Sequence, residues 1–244
     1  MNGAVELAQA EAQYTDLRSF ATGVPLPCVA TAYAKEVDAH AATGLPRHRL
    51  LLRAGVACGK WLTEHSGIRD RLLICCGAGN NGGDGLIAAA WMVQQGRQAQ
   101  VLLAAQPATP DAIWAWQLAQ DCGVQINLYA GALPVADAYV DALIGRGTKG
   151  ALREPVATLA AAMQQSGKLI ASIDMPTGWN SQPVSPLPIL AMLAVDPAIG
   201  TVCNRQIVIN AEQLRQSYLA DLGATKALQT FAHTMWLGAI AQAE

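Results

Sequence analysis

Leu72-Leu-Ile-Cys-Cys-Gly-Ala-Gly-Asn-Asn-Gly-Gly-Asp-Gly-Leu86 changes character part-way along. Its first five residues form an unbroken apolar run, the kind that fills a strand buried on both faces. The next nine hold five glycines, two asparagines and one aspartate, and a helical apolar pattern begins at Leu86. A strand-to-helix turn this rich in glycine lets backbone N–H groups come close to a ligand at the positive end of a helix dipole. Gly77, Gly79 and Gly82 satisfy the G-x-G-x-x-G spacing of dinucleotide-binding turns. One part of that fingerprint fails, because the next strand, Ala99 to Ala105, runs into Gln106 and Pro107 with no acid for a ribose hydroxyl. Asp84 would also repel a phosphate placed in the turn. The segment therefore reads as a site for a neutral or mixed polar group with a cation, not as a hydride-transfer fingerprint.

Outward from this stretch, apolar runs at 72–76, 99–105, 124–128, 138–144 and 169–173 alternate with helical patterns at 85–95, 111–121 and 154–165. That order predicts βαβ units: a Rossmann-like, doubly wound, mostly parallel sheet with helices on both faces, in three α/β layers. Upstream, helical spacing runs from Thr31 to Ala42 and from Arg47 to Glu64, joined by Gly44-Leu-Pro46. Pro46 suits a helical first turn. Residues 1–30 read as a helical extension. Downstream, 183–188 is a proline-rich loop, Arg205 to Ile209 a candidate strand, and 211–242 mainly helical. No repeat or linker divides the chain, so a single domain over 1–244 is expected.

Composition narrows the class. Hydrophobic residues make up 52% of 244, enough for a full core, while a net charge of −2 offers no basic field for nucleic acid or an acidic membrane. The cysteines at 28, 58, 75, 76, 122 and 203 show no C-x-x-C and read as reduced core residues. The N-terminus has Glu6 and Glu11 and no apolar leader pattern, and the apolar stretch Leu187 to Val202 is broken by Pro188, Asp196, Pro197 and Gly200. A cytoplasmic globular protein without membrane contact is the expectation. His40, His48, His65 and His233 lack metal-ligand spacing, and Trp91, Trp114 and Trp116 read as packing residues.

In an open parallel sheet, ligands bind beyond the carboxyl ends of the strands. Three acids fall there: Asp84 after the first run, Asp141 late in Ala138–Ile144, and Asp174 at the end of Leu169–Ile173. A strand-end aspartate commonly caps a helix or closes an Asx-turn. Here three coincide, each among glycines, which points to one crevice where backbone approaches a ligand.

Three segments in this order resemble the YjeF N-terminal domain family: Gly77-Ala-Gly-Asn-Asn-Gly-Gly-Asp-Gly85, Val140-Asp-Ala-Leu-Ile-Gly-Arg-Gly-Thr-Lys-Gly-Ala-Leu-Arg-Glu-Pro155, and Ile173-Asp-Met-Pro-Thr-Gly178. Leu50-Leu-Leu-Arg-Ala-Gly55 resembles the helix leading to the family's first strand, and the likeness covers about 31–180. The resemblance implies a homodimeric epimerase that interconverts the R and S forms of hydrated NADH or NADPH, repairing a damaged nicotinamide nucleotide. It implies that Asn80, Asn81, Gly82, Gly83 and Asp84 contact the substrate. Gly145, Arg146, Gly147, Thr148, Lys149, Gly150 and Ala151 would form the loop over its diphosphate, and Asp174 would be the catalytic acid/base at the nicotinamide end. Asn81, Asp141 and Thr177 match the positions that bind a potassium ion, with threonine where the family usually has serine. The length leaves no room for a kinase-like dehydratase domain.

Departures begin after Gly178, where Trp179-Asn-Ser-Gln-Pro183 replaces the family's Leu-Asp-Ala-Asp-Thr-Gly, and Pro197-Ala-Ile-Gly200 stands where Pro-Lys-x-Gly is expected. Residues 181–244 diverge and shape one wall of the family's site. Two other functions follow from that: the same crevice repurposed for isomerisation, hydration or cyclisation of another small molecule, or a non-catalytic binding or scaffold module. Intact Asn81, Asp84, Asp141 and Asp174 favour an enzyme.

Overall fold

The computed structural model describes residues 47–64, 71–146, 148, 150–178 and 189–190. The apolar run after Arg71 forms β1 (Leu72–Cys76), buried at every position. Along it Leu72, Ile74 and Cys76 face one core and Leu73 and Cys75 the other, as the two-residue period of a strand requires. Further strands are β2 (Ala99–Leu103), β3 (Gln125–Leu128), β4 (Ala138–Ala142), β5 (Leu169–Ile173) and β6 (Ile189–Leu190). They form one six-stranded sheet in the order β3-β2-β1-β4-β5-β6, with every pairing parallel. The strand order reverses between β1 and β4, which makes their carboxyl ends the switch point where such sheets open a crevice.

Helices cover both faces. Helices α1 (Arg49–Glu64), α2 (Asn80–Gln94) and α3 (Pro110–Asp121) bury Leu62, Leu86, Ile87 and Ala115 against Ile74, Val101 and Val140. Helix α4 (Val156–Gln165) buries Leu159, Ala160 and Met163 on the opposite face with Leu73, Leu102 and Tyr139. The expected doubly wound α/β architecture is therefore the observed one. Trp91, Trp114 and Trp116 pack half-buried against the first core. No helix among the described residues is long and apolar enough to cross a membrane.

The strands are shorter than the apolar runs: β2 stops at Leu103 and β4 at Ala142. β6 is a short addition just past the proline-rich 183–188, where no strand is expected from sequence. The patterns at 31–42 and 211–242 and the candidate strand at 205–209 lie outside the described residues.

The main departure is at α2. Apolar periodicity starts a helix at Leu86, yet the helix begins at Asn80, so that Asn81, Gly82, Gly83, Asp84 and Gly85 are helical rather than loop. Glycine lowers helix propensity by about 1 kcal/mol per residue, but here sterics exclude anything larger. A Cβ on Gly82 would lie 1.9 Å from the Gly77 carbonyl oxygen, and one on Gly85 2.7 Å from Ala142 Cβ and 2.8 Å from Cys76 Sγ. The neighbouring α1 comes equally close: a Cβ on Gly55 would meet Ile87 at 2.4 Å and one on Gly59 the Ala88 carbonyl at 2.9 Å. At Gly79, by contrast, a Cβ meets nothing within 4 Å. Gly82→Ala is expected to destabilise the fold by about 1–3 kcal/mol through overpacking, whereas Gly79→Ala should cost under about 1 kcal/mol. Urea denaturation of the two variants checks this; equal losses would show that close packing does not set the turn.

Candidate active site

Helix α2 starts at the switch point with Gly79 as its N-cap and no side chain capping it, so its first N–H groups are presented at the crevice edge. The turn itself is stitched to both neighbouring strands. Gly77 donates its N–H to Ala142 O at 3.0 Å, Ala104 donates to Cys76 O at 2.8 Å, and Ala108 donates to Ala78 O at 2.8 Å. Asn80 is exposed, and its amide oxygen accepts the Thr109 hydroxyl at 2.6 Å. Thr109 in turn caps α3, accepting from Ala112 N at 3.1 Å ahead of Pro110. Thr109 is missed by a motif search, although Thr-Pro before a helical run is a readable cap signal.

Asn81 points differently. Its amide oxygen and nitrogen are both buried, and neither has a hydrogen-bond partner among the described residues. An unmet buried amide costs about 1–3 kcal/mol, so its persistence at a crevice marks a place for a ligand atom. Asn81 and Asp174 flank Gly145 from two sides: a Cβ there would sit 3.4 Å from Asn81 Cβ and 2.6 Å from Asp174 Oδ2.

Asp141 lies on the α4 face of β4, in register with Cys75 on β1 and Ser172 on β5. It is 4% exposed. Its carboxylate accepts the Thr177 N–H at 2.7 Å, the Thr177 hydroxyl at 2.7 Å and the Leu143 N–H at 3.1 Å. Burial pushes its carboxyl above the usual range, and the Thr177 and Leu143 donors oppose that shift without cancelling it. Thr177 is itself buried.

Asp174 follows β5 directly, with φ at 65°, a left-handed conformation that aspartate tolerates better than most residues. Its carboxylate accepts the Arg146 backbone N–H at 2.7 Å through Oδ2 and Arg146 Nε at 2.7 Å through Oδ1. This pairing is not apparent from either segment alone; a lone arginine beside a glycine at one strand end and a lone acid at the next are the signals that could have found it.

Asp84 sits in the second turn of α2, with its carboxylate oxygen Oδ1 buried. Burial first, and then the negative charges of Asp84 and Asp174, push the Cys58 thiol well up. Burial and Asp84 likewise raise Cys76, and burial, Cys76 and Asp141 raise Cys75. These are protonated core thiols, and Cys58, Cys75, Cys76 and Cys122 form no disulfide among the described residues. His48 stacks on Trp114 at 4.5 Å and pairs through Nδ1 with Asp111 at 2.5 Å, a satisfied packing histidine.

The structure thus gathers Asn81, Asp84, Asp141, Gly145, Arg146, Asp174 and Thr177 at one edge. Thr148, Gly150 and Ala151 are exposed farther along the loop, and Asn80 faces α3 rather than the acids. Gly147 and Lys149 lie outside the described residues, as does Trp179. Gly82 and Gly83 are buried in α2, where their value is steric.

The chain is 34% identical over 143 residues to a bifunctional NAD(P)H-hydrate repair enzyme of Coxiella burnetii, 57% of this chain and 29% of that protein. It is 35% identical over 126 residues to an NAD(P)H-hydrate epimerase of Rhodopirellula baltica, 49% of this chain and 52% of that protein. The aligned part is therefore under a third of the first relative and about half of the second. The crystal structure of yeast YNL200c has the same fold, with a TM-score of 0.67 at 22% identity over 75% of this chain and 86% of that one. The family model described as the YjeF-related protein N-terminus matches residues 47–201, more than half of the chain. The chain belongs to the YjeF-related N-terminal family.

Proposed function

We propose that this protein is an isomerase that epimerises hydrated NADH or NADPH at the hydroxyl-bearing ring carbon. The observation that carries the reading is the carboxylate of Asp174, fixed at the switch-point crevice beside the buried, unpartnered amide of Asn81. Inverting a carbon that bears a hydroxyl needs a proton acceptor and donor beside it, and Asp174 supplies one group that can do both in turn. The first-turn N–H groups of α2 and the loop from Gly145 to Ala151 hold the remainder of a dinucleotide-like substrate, with Asp84 ordering the glycine turn. That two relatives carry names of NAD(P)H-hydrate repair or epimerisation supports the substrate class. A cytoplasmic homodimer without nucleic-acid partners completes the reading, carried from composition and from the family resemblance.

The donor set fits a monovalent cation. Asp141 brings one carboxylate, Thr177 a hydroxyl and Asn81 an amide oxygen with nothing bonded to it. Among the described residues no cluster of three or more histidines, cysteines or acids competes for zinc or magnesium. Potassium held there by Asn81, Asp141 and Thr177 would neutralise a charge that burial otherwise disfavours.

The sign of the resulting pH effect is fixed by Asp141. Its folded-state pKa lies above the unfolded value, so without a cation its ionisation opposes folding. That stability is lost as pH rises from the unfolded pKa near 4 through the folded one. Potassium binds the ionised form and should offset the loss. The melting temperature in potassium chloride minus that in choline chloride should therefore grow as pH rises across this window, and vanish in Asp141→Asn. Rubidium soaked into crystals should give an anomalous peak between Asn81, Asp141 and Thr177; tight zinc binding there would overturn the assignment.

Asp174→Asn should lower the rate of R/S equilibration of hydrated NADH by about 10²–10⁴-fold with little change in KM. The amide oxygen keeps one of the two Arg146 hydrogen bonds, its NH2 cannot accept the other, and the group cannot take up a proton at working pH. Asp84→Asn should instead raise KM. An active Asp174→Asn enzyme would remove Asp174 from the chemistry. A wild type that is inert toward hydrated NADH yet binds another metabolite in the crevice would favour a repurposed enzyme, which the Trp179–Pro183 departure allows.

A further inference from the structure

One residue holds both oxygens of Asp174. Arg146 donates its backbone N–H to Oδ2 and its Nε–H to Oδ1, each at 2.7 Å, and the pair is enclosed, with side chains 10% and 18% exposed. Enclosed charge-assisted hydrogen bonds of this length are the strong kind, unlike a solvent-exposed ion pair. A carboxylate offers about four lone-pair positions, and this grip occupies one on each oxygen. The remaining two can turn only where Arg146 lets them.

Two further constraints fix the same group. The Asp174 backbone is left-handed at φ 65°. Gly145 leaves the space for Oδ2, since any Cβ there would stand 2.6 Å from it. Arg146 belongs to the loop after β4 and Asp174 to the end of neighbouring β5, so the grip joins the loop assigned to the diphosphate with the carboxylate assigned to the ring.

We propose that Arg146 is the positioning residue of Asp174: it aims the free lone pairs of the carboxylate into the crevice. The proposal rests on the epimerase reading and adds a residue to it. It differs from a phosphate-binding arginine, which would act on affinity alone, and from a structural ion pair, which would act on folding alone.

Kinetics and spectroscopy of the purified full-length protein separate these. Arg146→Ala should lose about 10²-fold in kcat, the scale of a misaligned reacting group, with KM within about threefold. Arg146→Lys keeps the charge without the fork and should recover only part of the rate. Millimolar methylguanidinium should restore activity to Arg146→Ala but not to Asp174→Asn. The double variant Arg146→Ala/Asp174→Asn should be no slower than Asp174→Asn alone, because both changes disable one unit. A rise in KM with kcat intact, or additive losses in the double variant, would overturn the proposal. The ¹⁵N spectrum supplies a readout independent of substrate: a slowly exchanging Arg146 Nε–H in the wild type that is lost in Asp174→Ala. Its absence from the wild type overturns the grip whatever the activity. A wild type with that signal but no epimerase activity overturns the functional reading and leaves the grip in place.

Discussion

Everything at the crevice depends on how closely backbone meets backbone where β1 becomes α2. A Cβ on Gly77 would fall 1.9 Å from Leu143 O, and one on Gly82 1.9 Å from Gly77 O. With both positions bare, the end of β1 lies against the end of β4 and the first turn of α2 folds back over it. That carries the uncapped N-terminus of α2 to the place where strand order reverses. The glycines weaken the helix locally, and the loss is offset by the apolar half from Leu86 to Met92, whose members Leu86 to Ala90 and Met92 are buried. The polar half of α2 is thus available for ligand contact only because the apolar half anchors it.

Two aspartates on adjacent strands then receive opposite treatment. Asp141 is surrounded by neutral donors and pushed up by burial, a state that a cation would relieve. Asp174 is met by a guanidinium and stays partly open to the crevice. Carboxylates in contrasting environments within one site take different roles, and this contrast underlies assigning Asp141 to holding an ion and Asp174 to handling a proton. The Asp141 side chain lies on the α4 face of the sheet, while Asp174 leaves the end of β5 beside Gly145.

The fold was legible because its signals are periodic. Wholly apolar 72–76 and the run 138–144, apolar but for Asp141, read as strands, and their alternation with helical patterns predicts the parallel order. The start of α2 was not legible, since propensity counts Asn-Asn-Gly-Gly-Asp-Gly as loop while packing against Gly77, Ala142 and Cys76 makes it helix. Asp84, read as part of the glycine loop, sits in the second turn of α2, whereas Asp141 and Asp174 were legible as strand-end residues. Their partners were not: the Thr177 hydroxyl on Asp141 spans 36 residues, and the Arg146 grip on Asp174 spans 28. Such pairs are set by sheet register, which a single sequence states only through the order of its strands.

The missing ribose acid after β2 acquires a structural reason from the same contacts. The chain leaving β2 is used to bind the glycine turn: Ala104 to Cys76, Ala108 to Ala78, and the Thr109 hydroxyl to Asn80. An acid there would have to compete with this stitching. The groups left for a ligand lie on the other side of the switch point, around Gly145, where Asn81, Arg146 and Asp174 converge. A glycine turn whose β2 side is stitched shut and whose β4–β5 side carries a fixed carboxylate leaves its open groups on that side. On the proposed reading, binding energy from the rest of the substrate would act where the carboxylate stands, which is the arrangement differential transition-state binding requires.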